Sequence, residues 1–377
     1  SVSFYFWGGH TPEKRQALIE CVEAFEAAYG PELKWGCHPD TWKTLRIDDN
    51  RLPIFRDYVM TLDEDDSVEW YVASGDDDEA ANEYAVSCHT ERGWMEGQIS
   101  ALKFRVPRAL IFEADQQKVL SDLIFLCHER LTPFHGHAGL SAITTEQQIE
   151  WEPEELDLAM RYLALYSGGS FDALQAQNGI KSVDWLTFVG NTLTQRLGGP
   201  DAFVAYCRRF GVEPTSHGSG FFIRAGEYPQ LGPVDEPTPD AYARVNAALR
   251  PLRNGNFGSM GTGSVGGERR FNRCTSDLWI RRLDAPGIWP PATFVGLPRT
   301  PIGKVPGKKI KLKTGEKCTV HGRYRHPAFE AVAAGDDDDA PQVVLMPGDV
   351  APYGLKLGAH GEDLGRDAVA WELVAEL

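Results

Sequence analysis

Three runs of four acidic residues are the densest groups of ionisable side chains in the chain. They are Asp63, Glu64, Asp65 and Asp66, then Asp76, Asp77, Asp78 and Glu79, and finally Asp336, Asp337, Asp338 and Asp339. Each run lies between strand-like segments, which places it at the tip of a loop. Such runs are commonly solvated turns, and the alternative is a carboxylate array that binds a basic groove on another protein. Calcium is not indicated, because the glycine and distal glutamate of an EF-hand loop are missing.

The histidines do not form a recognisable metal site. His128, His135 and His137 are the closest together, but HEXXH and related signatures are absent. A His-x-His pair within a strand directs both rings to one face of the sheet. We therefore expect these histidines to be structural residues with hydrogen bonds, and we expect neither a metal nor a cofactor.

No catalytic residue can be singled out from sequence motifs. The segment GTGSVGG (261–267) is the nearest match to a phosphate-binding loop, but it does not open a helix. The run Gly218–Gly220 is too short for a nucleophile elbow. Adjacent residues such as Cys127 and His128 point to different faces of a helix. Isolated carboxylates are plentiful, so an enzyme acting on a small molecule stays as an alternative.

Composition indicates which partners suit the chain. Its net charge is −16, which disfavours direct binding of nucleic acid or of an anionic membrane and favours a basic partner. Seven cysteines without a CxxC pair are typical of reduced thiols in a reducing compartment. The N-terminal residues do not resemble a signal peptide, and no apolar run is long enough to span a bilayer. The expected location is the cytoplasm.

The elements that must position the first two acidic runs form an α+β pattern. Val2 to Trp7 is predicted to be a strand, followed by a helix that Thr11 caps, that Pro12 opens and that Gly30 ends. Three further strands are predicted over Arg56 to Leu62, Ser67 to Ser74 and Glu83 to Thr90, as an antiparallel meander around the two acidic turns.

The rest of the chain adds helices, a linker and a second part. Helices are predicted over 116–130, 153–167, 184–197 and 239–249 and after Pro200. Strands are predicted over 99–114, with an interruption at Pro107, and over 218–226. Residues 254–267 are rich in Gly and Ser and are predicted to be a linker. The fold class is therefore α+β. The large body, over 1–253, contains an antiparallel sheet, and a small β-rich module follows over 268–377.

A cluster of basic residues distinguishes the C-terminal module from the acidic body. It comprises Arg299, Lys304, Lys308, Lys309, Lys311, Lys313, Lys317, Arg323 and Arg325. Because regular aromatic interleaving is missing, docking on an acidic protein face is favoured over binding of nucleic acid. An adaptor that uses this basic patch to hold nucleic acid or a component of a secretion system is a further alternative.

An ordered series of short motifs carries a family resemblance over residues 1 to 253. The motifs are ISALKFRVPRALIFEA (99–114), HGHAGLSAI (135–143), GIKSVDWLTFVGNTLTQRLGG (179–199) and GFFIRAGEYPQLGPV (220–234), followed by Tyr242 and Leu249-Arg250-Pro251. Together they resemble the TsiV family of type VI secretion immunity proteins. The C-terminal part resembles a small module appended to some proteins of this type.

The resemblance implies that the chain neutralises a cognate effector toxin by stoichiometric binding and is not an enzyme. A cytoplasmic antidote suits a toxin that acts in the cytoplasm, such as a nuclease with a basic substrate groove. The three acidic runs are then the candidate toxin-binding residues. Tight binding also needs apolar anchors, for which Trp42, Trp70, Trp94 and Trp151 are candidates, although the core is the commoner place for each.

Overall fold

The computed structural model of the chain describes residues 1–95, 97–143, 145, 151–167, 172–255, 257–261, 270–285, 288–290, 309–326, 342–357 and 363–376. The chain divides into two compact units. One comprises Ser1–Trp151, Tyr166–Gln230 and Ala247–Asn256, and the other comprises Glu152–Leu165, Leu231–Asn246 and Phe257–Leu377. Half of the predicted linker 254–267 lies outside the described residues, and the domain boundaries stay a prediction.

Eight α-helices run along the described part of the chain. They are α1 (Pro12–Tyr29), α2 (Phe55–Thr61), α3 (Ala114–Leu131), α4 (Glu152–Arg161), α5 (Asn191–Thr194), α6 (Pro200–Arg208), α7 (Asp240–Leu249) and α8 (Arg273–Ile280). Among the described residues, no helix combines the length and the apolar character that crossing a bilayer requires.

The first unit is built on one ten-stranded sheet in which every neighbouring pair of strands is antiparallel. Its strands are β1 (Val2–Phe6), β2 (Trp35–Cys37), β3 (Thr44–Arg46), β4 (Glu69–Ala73), β5 (Ala85–His89), β6 (Ser100–Arg105), β7 (His135–Ala138), β8 (Leu186–Gly190), β9 (Thr215–His217) and β10 (Gly220–Arg224). Their order across the sheet is β3-β2-β4-β5-β6-β1-β7-β8-β10-β9. The α+β class and the antiparallel sheet are therefore confirmed.

Strand β1 is buried at all five positions, and four of its five side chains are apolar or aromatic. Phe4 pairs with Leu102 of β6 and Gly136 of β7, on the face that α1 and α3 cover. Tyr5 points to the opposite face, beside His135. A central strand covered on both faces needs apolar or fully hydrogen-bonded side chains at every position.

Helix α1 forms as its sequence predicts. The Thr11 hydroxyl accepts a hydrogen bond from the Lys14 N–H, and Pro12 occupies the first helical position. Its buried residues recur at helical spacing, and the Phe25 ring lies 5.6 Å from Phe104 of β6. The helix ends at Tyr29, directly before Gly30, as predicted.

Two predicted elements are wrong. Residues 56–62 form helix α2 rather than a strand, because Phe55, Tyr58 and Val59 bury one helical face. Residues 184–197 begin with strand β8 rather than a helix, and only the short helix α5 and a single 3-10 turn follow. All five residues of β8 are buried, and such a short apolar run cannot be distinguished from a buried helix by its periodicity.

The second unit contains the small β-rich region that the sequence predicts. Strands β11 (Lys311–Lys313), β12 (Gly322–Arg325), β13 (Gln342–Leu345) and β16 (Ala370–Glu376) form a sheet in the order β11-β16-β12-β13, and β14 (Gly354–Leu357) pairs with β15 (Asp363–Asp367). Leu312, Tyr324 and Trp371 belong to its buried core. Elsewhere in this unit, the indole N–H of Trp289 donates to the carbonyl of Ala159 in α4.

Candidate functional site

The run Asp63–Asp66, named here the first acidic loop, connects α2 to β4 and is held from beneath by a buried arginine. The Arg15 guanidinium, in the first turns of α1, donates to the carbonyl of Leu62 at 2.6 Å, to that of Asp66 at 2.9 Å and to that of Asp63. From the other side, the Gly93 N–H donates to the carbonyl of Glu64 at 2.8 Å. The backbone of the loop is therefore fixed, while its side chains stay exposed.

The carboxylates of the first acidic loop make no ion pair with any described residue. Asp63 accepts a hydrogen bond from the N–H of Asp65 at 2.9 Å, and Asp66 accepts one from the N–H of Asp63 at 3.0 Å. These bonds leave further acceptor positions on both side chains. Glu64 and Asp65 have exposed carboxylates with no described cation within reach. The negative charge of this loop is thus available to a partner.

The run Asp76–Glu79, named here the second acidic loop, connects β4 to β5 and is held through its own side chains. Lys34 forms an ion pair with Asp76 at 3.0 Å, and this hydrogen bond lowers the pKa of the Asp76 carboxyl. The Thr44 hydroxyl donates to Asp78 at 2.9 Å. At the base of the loop, the buried Asn82 side chain accepts from the Gly75 N–H. Asp77 in turn accepts a hydrogen bond from the Glu79 N–H at 3.2 Å. Three of the four carboxylates of this loop therefore already have partners within the chain.

The two acidic loops do not form one continuous array. The first precedes β4 and the second follows it, so they emerge at opposite ends of a five-residue strand, a separation of about 17 Å.

The third run, Asp336–Asp339, lies outside the described residues. In the basic cluster, Lys309 and Lys311 lie 3.9 Å and 3.8 Å from Glu372, whereas Arg299, Lys304 and Lys308 are outside the described residues.

The four candidate tryptophan anchors separate into one core residue and three surface residues. Trp70 is buried, with its ring 5.1 Å from Phe55. Trp42 and Trp151 are partly exposed, and Trp94 is the most exposed of the four, at 63%. Trp94 directly follows Gly93, which bonds the first acidic loop. Trp94 is therefore the one of these four tryptophans that is both exposed and adjacent to a residue bonded to the first acidic loop.

Among the described residues of the first unit, a cluster of buried polar side chains is the arrangement that most resembles a catalytic group. His137 Nδ1 lies 3.7 Å from the Asp184 carboxylate, and its ring lies 4.2 Å from the Tyr166 ring. The Lys181 ammonium donates to the Tyr166 hydroxyl at 2.6 Å. The neighbouring His135 contacts the carbonyl of Ala176 at 2.9 Å. These groups lie on the sheet face opposite to α1 and α3.

The cluster is sealed from solvent, so its chemistry is that of a scaffold. Its side chains are at most a few per cent exposed, and a nucleophile or base must touch its substrate to act. Gly139 lets the Asp184 carboxylate approach the backbone closely, since a Cβ there would lie 1.7 Å from Asp184 Oδ1. Both rings of the His-x-His pair lie on one face of the sheet, beside Tyr5, as the spacing predicts. The motifs HGHAG and GIKSVDW contain four of the cluster's residues, yet nothing in their spacing shows that they meet.

Other titratable groups of the first unit are also buried. Burial, together with the neighbouring His217 at 3.1 Å, lowers the pKa of His128 to about 4, so His128 is neutral at pH 7. Burial raises the pKa of Cys207 to about 12 and also raises that of Cys88, which keeps both thiols protonated and unreactive. Among the described residues, six cysteines are buried and form no disulfide. Among the described residues, no three His, Cys, Asp or Glu side chains are grouped as metal ligands.

Comparisons with known proteins show a family and a solved structure to which this chain is similar. The model of the TsiV family, described as type VI immunity for VRR-NUC, matches residues 17–283. The Pseudomonas aeruginosa T6SS protein PA0821 is 30% identical in sequence, with a TM-score of 0.67, over 75% of this chain and 81% of that chain. No curated protein sequence matches significantly. The matched range extends from α1 to α8 and includes both acidic loops.

Proposed function

Since the chain belongs to the TsiV family of type VI immunity proteins, we propose that it neutralises a cognate type VI effector by forming a stoichiometric complex with it. The family description names VRR-NUC as the object of immunity. The cognate toxin is accordingly a nuclease, and the chain acts by occluding it rather than by turning over a substrate. The match over residues 17–283 is the observation that carries this proposal.

Electrostatics supports a nuclease as the partner. A nuclease must hold the phosphates of its substrate in a groove lined by Lys and Arg. The chain has a net charge of −16, and the carboxylates of its first acidic loop have no described cation as a partner. Complementary charge of this kind speeds association and fixes orientation. Covering the groove would then exclude nucleic acid from the toxin's active site.

The buried polar cluster supports a binding role rather than an enzymatic one. His137, Lys181 and Asp184 are the arrangement that most resembles a catalytic group among the described residues of the first unit, and all three are buried.

A nuclease that enters a cell reaches its substrate in the cytoplasm, so we place the action of the chain in that compartment. The toxin is therefore its partner, with no cofactor and no direct contact with nucleic acid or membrane.

The test is a titration of nuclease activity. The toxin encoded beside the gene for this chain is incubated with plasmid DNA and increasing amounts of the purified chain, and an unrelated protein of similar net charge serves as the control. We expect cleavage to fall in proportion to the added chain and to cease at an equimolar ratio. Full cleavage in the presence of excess chain would contradict the proposal. Inactivation by a small fraction of an equivalent that increases with time would instead indicate an enzyme.

A further inference from the structure

Two large apolar side chains are exposed beside the first acidic loop. Met60, in the last turn of α2, is 69% exposed, and Trp94 is 63% exposed. Met60 lies three residues before Asp63, and Trp94 follows the glycine whose N–H bonds Glu64. Together, Met60, the first acidic loop and Trp94 form a surface that we name the Trp94 face. A solvent-exposed tryptophan next to charged residues is typical of an interface anchor within a polar rim.

The Trp94 face is organised before any partner arrives. Arg15 fixes three carbonyls around the loop, and Gly93 fixes a fourth. The segment that presents Trp94 is itself closed by a bond from the Met95 N–H to the carbonyl of Arg92 at 2.9 Å. A surface whose backbone is already ordered loses less conformational entropy when it binds.

The charges of this face determine the chemistry of its partner. Glu64 and Asp65 are exposed, and the Glu64 side chain lies against Gly93, the residue before Trp94. The cation that holds the loop, Arg15, is buried and directed at carbonyl oxygens. Arg92 is the exposed cation of the neighbouring segment. A partner that matches this arrangement offers an apolar pocket for the indole and basic side chains around that pocket.

We propose that the Trp94 face is the surface through which the chain docks on its toxin, with Trp94 in an apolar pocket and Glu64 and Asp65 against basic residues of the nuclease groove. This inference rests on the proposed function and adds to it the place of contact. The second acidic loop is the less suitable surface, because Lys34 and Thr44 already engage Asp76 and Asp78.

The anchor is tested by measuring the affinity of the full-length chain for a catalytically inactive form of the neighbouring toxin. We expect Trp94→Ala to weaken binding by about 10- to 100-fold, as for a central tryptophan anchor. Phe112→Ala is the matched control, because Phe112 is also an aromatic residue and is 60% exposed. Phe112 comes after strand β6 in the chain, whereas Trp94 comes before that strand, so Phe112 is not part of the Trp94 face. It should leave the affinity unchanged. Circular dichroism checks that both variants are folded.

The charged rim is tested by paired reversals in the two loops. Glu64→Lys with Asp65→Lys should slow association about tenfold at low salt, and the difference from the unaltered chain should shrink at high salt. Asp77→Lys with Glu79→Lys makes the same change of charge in the second loop and should have a clearly smaller effect. An equal effect of the two pairs would mean that only overall charge matters, and it would overturn the assignment of the rim.

The possible failures are distinguishable. If the unaltered chain forms no complex with the toxin, the proposed function fails and the docking surface fails with it. If the complex forms but Trp94→Ala binds as tightly as Phe112→Ala, the proposed function stands and the Trp94 face is overturned. Stronger losses from the second-loop reversals than from the first-loop reversals would also overturn it.

Discussion

The first and second acidic loops have the same composition, three aspartates and one glutamate, but they are held in place in opposite ways. In the first, the buried Arg15 donates to three backbone carbonyls, and the Asp63 and Asp66 side chains bond only to N–H groups of the loop itself. In the second, the exposed Lys34 and Thr44 bind the side chains of Asp76 and Asp78. The difference teaches that a buried cation beneath the backbone orders an acidic loop without neutralising its carboxylates, which is the property that the proposed docking surface needs.

The largest expected effect that distinguishes the loops is that of Arg15→Ala. This change removes a buried side chain that donates to the carbonyls of Leu62, Asp63 and Asp66, so we expect the free energy of unfolding to fall by about 3 kcal/mol. Amide hydrogen exchange should also quicken in the first acidic loop. Urea unfolding measures the first quantity and mass spectrometry the second. Arg15→Lys is the control and should be intermediate, since an ammonium cannot reproduce the guanidinium fork.

A loss of stability below about 1 kcal/mol for Arg15→Ala would contradict the claim that Arg15 holds the first acidic loop more firmly than surface contacts hold the second, because so small a loss is typical of an exposed ion pair.

A smaller effect is expected for Asn82→Ala at the base of the second acidic loop. The Asn82 side chain is buried, accepts from the Gly75 N–H at 2.8 Å and donates to the Tyr71 hydroxyl at 3.3 Å. Its removal should lower the free energy of unfolding by about 1 to 2 kcal/mol. Thr44→Val is the control, because it deletes only the exposed bond to Asp78. A larger loss for Thr44→Val than for Asn82→Ala would show that the loop depends on its surface contacts.

The smallest expected effect is on the titration of Asp76. Its pKa is lowered because Lys34 donates a hydrogen bond to the charged carboxylate. Because the folded-state pKa lies below the unfolded-state value, the contribution of the pair is present above the unfolded-state pKa and is lost as the pH falls through the folded-state pKa. In Lys34→Gln the pKa of Asp76 should return to its ordinary range. Side-chain carbon NMR measures it, and an unchanged pKa would show that Lys34 does not hold this loop.

Much of the fold could be predicted from sequence because local signals agreed with the tertiary structure. The Thr11 cap, the opening Pro12 and the strand at Val2–Phe6 all have strong local signatures. The predictions for residues 56–62 and 184–197 were wrong because short apolar runs fit a helix or a strand equally well. Only burial against neighbouring elements decides between the two. The sheet order brings β1, at the N-terminus, between β6 and β7, and no local pattern indicates such a placement.

The candidate site was predictable in its residues and not in its geometry. Both described acidic runs lie at loop ends, as expected. Their separation follows from the meander, since consecutive loops of antiparallel strands emerge at opposite ends of the strand that joins them. The support from Arg15 could not be foreseen, because an arginine in a helix is ordinarily a surface residue. The buried cluster of His137, Lys181 and Asp184 depends on contacts between residues far apart in the chain.

Hydrogen–deuterium exchange of the full-length chain, free and in complex with the inactive toxin, tests the central claim most directly. We expect the complex to protect residues 60–67 and 92–95, which contain the Trp94 face, and to leave residues 74–84 of the second acidic loop unchanged. Protection confined to residues 74–84, or identical exchange in the free and mixed samples, would contradict the account.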